Sequence, residues 1–217
     1  MTRQFIPFPI FPPYAYWRPN QENHFPTNIH VAARLSKIDP SCLPFISTWY
    51  AHRYINWIAH NWNYQNPQLQ YYSCIHGLEK MINWSFANNL SLLDWTRADY
   101  ESYADFIRSP ADDWAIAGKQ PRFIVSPGMD YRDWPINPHW KLFQRARAAD
   151  SSSEIDKNVW KREIRCVTQF LDFYLKDVGS TRRNVASGKL ESLVFKASQA
   201  RGGNFRRRDG LDLRKAS

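Results

Sequence analysis

The stretch that decides the fold is Lys157-Asn158-Val159-Trp160-Lys161-Arg162-Glu163-Ile164-Arg165-Cys166-Val167-Thr168-Gln169-Phe170-Leu171-Asp172-Phe173-Tyr174. Trp160, Ile164, Val167, Leu171 and Tyr174 recur at the spacing that places side chains on one stripe of an α-helix. Ser151-Ser152-Ser153-Glu154 ahead of it supplies a box-type helix start. Gly179 beyond it suits a C-terminal cap, where a left-handed residue closes the last turn. On the neighbouring face Lys157, Lys161 and Arg165 repeat every four residues, with Arg162 beside them. At 1.5 Å per residue this cationic stripe is about 12 Å long. It can span adjacent phosphates of a nucleic acid. An ordinary solvated helix face carries the same pattern.

Working outward, three more segments have helical spacing. The first follows Pro44 and runs to Asn63, with Phe45, Ile46, Trp49, Tyr50, Ile55, Trp57, Ile58 and Trp62 as its apolar set. Asn66-Pro67 breaks it. The second runs from about Gln68 to Asn88 on Tyr71, Ile75, Leu78, Ile82 and Phe86, and Asn88-Asn89 ends it. The third opens at Thr96-Arg97-Ala98-Asp99, a capping box with Asp in place of Glu. It carries Tyr100, Tyr103, Ala104 and Ile107, and Pro110 closes it. Residues 110–150 form a long proline-punctuated connection in which Trp114, Trp134 and Trp140 are expected to be buried anchors. No strand is predicted. The expected architecture is all-α: a small bundle of four to five helices over residues 44–185, with the 110–150 connection as a loop insertion.

The two ends differ from this body. Phe5-Ile6-Pro7-Phe8-Pro9-Ile10-Phe11-Pro12-Pro13-Tyr14 cannot be helical, because each Pro removes a backbone donor and restricts its predecessor. It is also too apolar to stay in water. Residues 1–43 therefore read as an extended proline/aromatic arm lying on the body or on a partner chain. Residues 186–217 read as a basic tail that is expected to be disordered.

The chain has 29 Lys+Arg against 20 Asp+Glu, a net charge of +9. Most of that excess lies in the tail, so the body is nearly neutral and its overall charge carries no argument for nucleic acid. Ten Trp and a 16% aromatic share allow a modest helical domain to be held by few large side chains. No run of ~18 apolar residues is present, so no membrane span is expected. The N-terminal prolines break any signal-peptide helix. Three widely spaced cysteines, Cys42, Cys74 and Cys166, read as reduced thiols of a cytoplasmic protein.

Several chemistries lack their residues. No GxxxxGK[ST] or GxGxxG phosphate loop occurs. Cys74-Ile75-His76 is too tight for a structural zinc site and has no second pair, so no metal or cofactor is expected. Asp112-Asp113 read as solvated loop carboxylates, and no nucleophile elbow supports a Ser-His-Asp site.

The second and third helices resemble the integrase type of tyrosine site-specific recombinases. That family carries a helix ending in an apolar run with a Trp, then the pattern L-x-x-L-T-x-x-D-x-x-x-Y-x-x-F-L-x-x-P. Here Gly77-Leu78-Glu79-Lys80-Met81-Ile82-Asn83-Trp84 is followed by Leu92, Thr96, Asp99, Tyr103, Phe106 and Pro110 in place, with Trp95 and Ile107 where the family has Leu. Trp114, Gly118-Lys119-Gln120-Pro121-Arg122 and Trp140-Lys141-Leu142-Phe143 are similar to a loop that one group of these integrases inserts. Phe170-Leu171-Asp172-Phe173-Tyr174-Leu175-Lys176-Asp177-Val178-Gly179, then Asn184-Val185, is similar to that group's closing helix. Gln70 and Cys74 depart from the Thr and Tyr that usually open the second helix, and Val185 stands where Pro is expected.

The resemblance implies a core-binding domain of the SAM-like kind: a helical bundle that grips the recombination-site duplex during DNA integration in a bacterial, nucleoid-associated setting. The family's cutting machinery is an Arg, a Lys, a His-x-x-Arg box and a nucleophilic Tyr in a following domain. The last His here is His139 and the last Tyr is Tyr174, both inside the core-binding match. The chain is therefore expected to bind double-stranded DNA without cleaving it, and not to be an enzyme by itself. The expected contacts are Lys157, Lys161, Arg162 and Arg165 on the last helix, Lys80 on the second, Lys119 and Arg122 in the loop, and Arg182 and Arg183 after the bundle. The alternative is a protein-interaction module or accessory protein, in which the N-terminal arm docks on other recombinase protomers.

Overall fold

The computed structural model describes residues 5–19, 26–60, 65–145 and 157–187. Met1–Ala186 form one compact unit and Ser187–Ser217 a second, of which only Ser187 is among the described residues. The expected helix start at Ser151–Glu154 and nearly all of the basic tail thus lie outside the described residues.

The first unit is mostly helical. Its helices are α1 (Ile29–Leu35), α2 (Pro44–Ala59), α3 (Pro67–Ala87), α4 (Arg97–Arg108) and α5 (Lys157–Asp177). Local chemistry sets their ends. Pro occupies the first turn of α2 and of α3, where its missing N–H costs nothing. The Asn66 side chain accepts from Leu69 N at 3.1 Å to cap α3. Asn89 ends α3 in the left-handed region (φ 54°). The Thr96/Asp99 capping box of α4 is complete in both directions. Gly179 (φ 62°) closes α5, with Ser180 N donating back to Leu175 O at 2.9 Å.

α5 packs against α2, α3 and α4. Trp160, Ile164, Val167, Phe170 and Leu171 form its buried side, and Trp160 Nε1 donates to Ala104 O of α4 at 2.9 Å. The second half of α3 is buried all round, with every residue from Gly77 to Phe86 inside. Gly77 has a specific reason to lack a side chain. A Cβ there would lie 2.6 Å from Cys166 Sγ, so α3 and α5 approach at this point as closely as a glycine permits.

Three features go beyond the sequence expectation. The proline/aromatic arm lies on the body, one of its two expected placements, and so deeply that it is part of the core: Phe8, Ile10, Phe11 and Trp17 are buried. Its hydrogen bonds go to α3. Asn83 accepts from Phe8 N (2.9 Å) and donates to Phe8 O (3.0 Å), Glu79 accepts from Ile10 N (2.7 Å) and Phe11 N (3.1 Å), and Tyr71 OH donates to Pro12 O (2.7 Å). An extended segment has no internal partners for its backbone, so buried polar side chains supply them. Second, α1 forms inside the stretch read as arm, capped by Asn28. Third, two short parallel strands exist, β1 (Ala115–Ala117) and β2 (Phe143–Arg145), in register Ala115 to Phe143.

The 110–142 connection is anchored by buried aromatics. Trp114, Phe123, Tyr131, Trp134 and Trp140 are all 7% exposed or less. Tyr131 and Trp134 meet edge-on at 5.7 Å, and Phe123 meets Tyr131 at 5.3 Å. The anchors expected at Trp114, Trp134 and Trp140 are in place.

Candidate functional site

The exposed side of α5 carries the cations. Lys157, Arg162, Arg165 and Lys176 are exposed, and Lys161 is half-buried. Arg162 and Arg165 line an open groove of about 240 Å³ between α3 and α5. Gln70, Ser73 and Gly77 of α3 form its opposite wall, and Gln169 of α5 extends it. A second groove of about 850 Å³ lies between α2 and α5, lined by Tyr54, Trp57, Ile58, Phe173, Gln169 and Lys176 among others. Gln169 borders both.

Beneath the first groove a buried ion pair ties α3 to α5. Lys80 Nζ donates to Glu163 Oε1 at 2.8 Å, and the two side chains are 10% and 7% exposed. Lys80 also sits over the Phe143 ring, 5.1 Å from its centroid. Glu163 is the one acid among the groove-lining residues, and the ammonium neutralises it. The groove wall keeps a net positive charge from Arg165 and from Arg162, whose guanidinium also lies 3.9 Å from Glu163 Oε1.

The structure thus separates the nine residues singled out by sequence. Arg162 and Arg165 share one groove. Lys157 and Lys161 lie on the adjoining strip of the same helix. Lys119 is exposed just after β1, beside Gly118 (φ 79°). Arg183 is exposed where the chain leaves α5. Arg182 is partly engaged: its guanidinium donates to Trp95 O and lies 3.7 Å from Asp94 Oδ1.

Lys80 and Arg122 need correction, because both are turned inward rather than presented to a phosphate. Arg122 forms a two-pronged pair with Glu79, itself wholly buried, and donates to Phe11 O at 2.8 Å. Burial works against its charge, but the Glu79 carboxylate outweighs it and holds the guanidinium above its ordinary pKa. Both cations hold the fold.

Sequence reasoning passed over Ser73 and Gln169 and named Gln70 only as a departure at the start of the second helix. All three are uncharged, so only their placement opposite or beside Arg162 and Arg165 marks them as groove residues. The nearby thiols are not poised as nucleophiles. Burial pushes Cys166 up to about 12 and Cys74 well above its usual value, so both stay protonated near neutrality. Among the described residues, no group of three or more His, Cys, Asp or Glu is placed to hold a metal ion. No helix among them is long and apolar enough to cross a membrane.

Comparison with protein-family models, with curated proteins and with solved structures finds no match for this chain.

Proposed function

We propose that this protein binds double-stranded DNA through the α3–α5 face, in the manner of the core-binding part of a tyrosine site-specific recombinase, and holds the duplex without cutting it. The observation that carries the reading is the groove in which Arg162 and Arg165 stand beside Gln70, Ser73 and Gln169. Lys157 and Lys161 continue the positive surface along the same helix. The buried Lys80–Glu163 pair supports it by cancelling the acid that would otherwise repel phosphate. The order of motifs from Gly77 to Pro110 supports the recombinase part of the reading.

The phosphate contacts make the affinity salt-dependent, with a slope of about 0.9 per phosphate neutralised. In fluorescence anisotropy with a labelled duplex, the Arg162→Ala/Arg165→Ala variant should bind more weakly and lower the salt slope by about 2. An unchanged slope removes this face from the proposal.

A second reading has one observation in its favour. α2 exposes Phe45, Ile46, Trp49 and Trp57, each 39% exposed or more, and apolar surface of this kind marks contact with another protein. Such a contact runs through α2 rather than through the N-terminal arm, whose backbone groups are engaged with α3 of its own chain.

A further inference from the structure

Resting on the DNA reading above, we infer that Gln169, with Gln70 across the groove, selects the DNA sequence by recognising adenine in the major groove. The cations of α5 deliver affinity, because phosphates lie along every sequence. They leave the choice of sequence to uncharged groups. Gln169 stands one turn beyond Arg165 and is exposed. Arg162, Arg165 and Gln169 fall on one stripe, spanning about 10 Å of helix. That span suits the few consecutive base pairs one helix reads.

The chemistry of the side chain fixes the base. A primary amide presents a donor and an acceptor side by side. Adenine presents the matching pair in the major groove: its N7 accepts and its N6 amino group donates. Guanine offers two acceptors there, which the side-by-side donor and acceptor of an amide do not match. Gln70 adds an independent observation. Its Oε1 is buried at the same groove and has no hydrogen-bond partner among the described residues. An unpartnered buried acceptor is costly to leave unmet, and an amino group brought in by a ligand would meet it once the amide turns outward. Glu163, the group best suited to cytosine, is held by Lys80 and is not available.

The test is selection from a pool of duplexes with a randomised central segment, bound at fixed salt and sequenced. The whole chain is used, as wild type, Gln169→Ala, Gln169→Glu, Gln70→Ala and Arg165→Ala. Wild type should enrich adenine at one or two positions. Gln169→Ala should lose about tenfold of the discrimination at one of them. Gln169→Glu, now acceptor-only, should shift the preference there to cytosine. Arg165→Ala should instead weaken binding across sequences and reduce the salt slope. If wild type enriches no adenine, or both Gln169 variants enrich the same motif as wild type, the inference is overturned while the DNA reading stands. If wild type shows no salt-dependent binding to the unselected pool, the DNA reading itself has failed.

Discussion

Asn28 shows how much a single buried amide can fix. Its Oδ1 accepts from His30 N and Val31 N, both at 3.0 Å, and so starts α1. Its Nδ2 donates to Tyr131 O (2.7 Å) and Trp134 O (2.9 Å), more than a hundred residues away. Asn28→Asp keeps the cap but turns a carboxylate toward two buried carbonyls. The loss should be at least about 2 kcal/mol in urea unfolding, since each unmet buried group costs about 1–3 kcal/mol. An unchanged midpoint would mean the 131–134 turn is held by its aromatics alone. His52 on α2 sets a pH response. Burial pushes its pKa from 6.5 down to about 4. In that window the unfolded chain takes up a proton that the folded chain refuses. Its contribution to stability is therefore full above about pH 6.5 and is lost as pH falls toward 4. Denaturant midpoints at pH 7 and pH 5 should differ less in His52→Gln than in wild type.

At the scale of elements, α3 and α5 are joined by close contact and by charge. Gly77 lets the helices meet at Cys166, and the Lys80–Glu163 pair locks their register. Breaking one side of a buried pair strands the other charge, at a cost of about 3–5 kcal/mol. Lys80→Met should lose stability on that scale by chemical denaturation. Lys80→Met/Glu163→Leu should regain most of it, because two apolar side chains of similar volume need no compensation. Equal losses in the single and double variants would assign the effect to packing around Phe143 rather than to charge.

For the whole molecule, the N-terminal segment is a structural member. Phe8, Ile10 and Phe11 are at most 1% exposed, and burial of such side chains stabilises by about 1.5–3 kcal/mol each. Glu79, Asn83 and Arg122 would each lose a backbone partner with it. Deleting residues 1–17 should abolish the cooperative thermal transition followed by circular dichroism. A deletion variant that melts cooperatively at the wild-type temperature would show that the segment lies on the body without holding it together.

Local chemistry was enough to determine α2 to α5, though not the short α1. The apolar spacing of α3 and α5, the Thr96–Asp99 box, Asn88-Asn89 and Gly179 act over one or two turns, so the sequence alone located these elements and the cationic side of α5. Burial of charge was decided only in the folded chain. Glu79 meets Arg122 across 43 residues, Lys80 meets Glu163 across 83, and Asn83 meets Phe8 across 75. Read locally, each of these side chains belongs to a solvated face, and a charge or amide goes inside only when a distant partner repays its lost hydration. For the same reason the groove that joins Gln70 to Gln169 has no signature along the chain: it exists only where two helices, far apart in sequence, are held side by side.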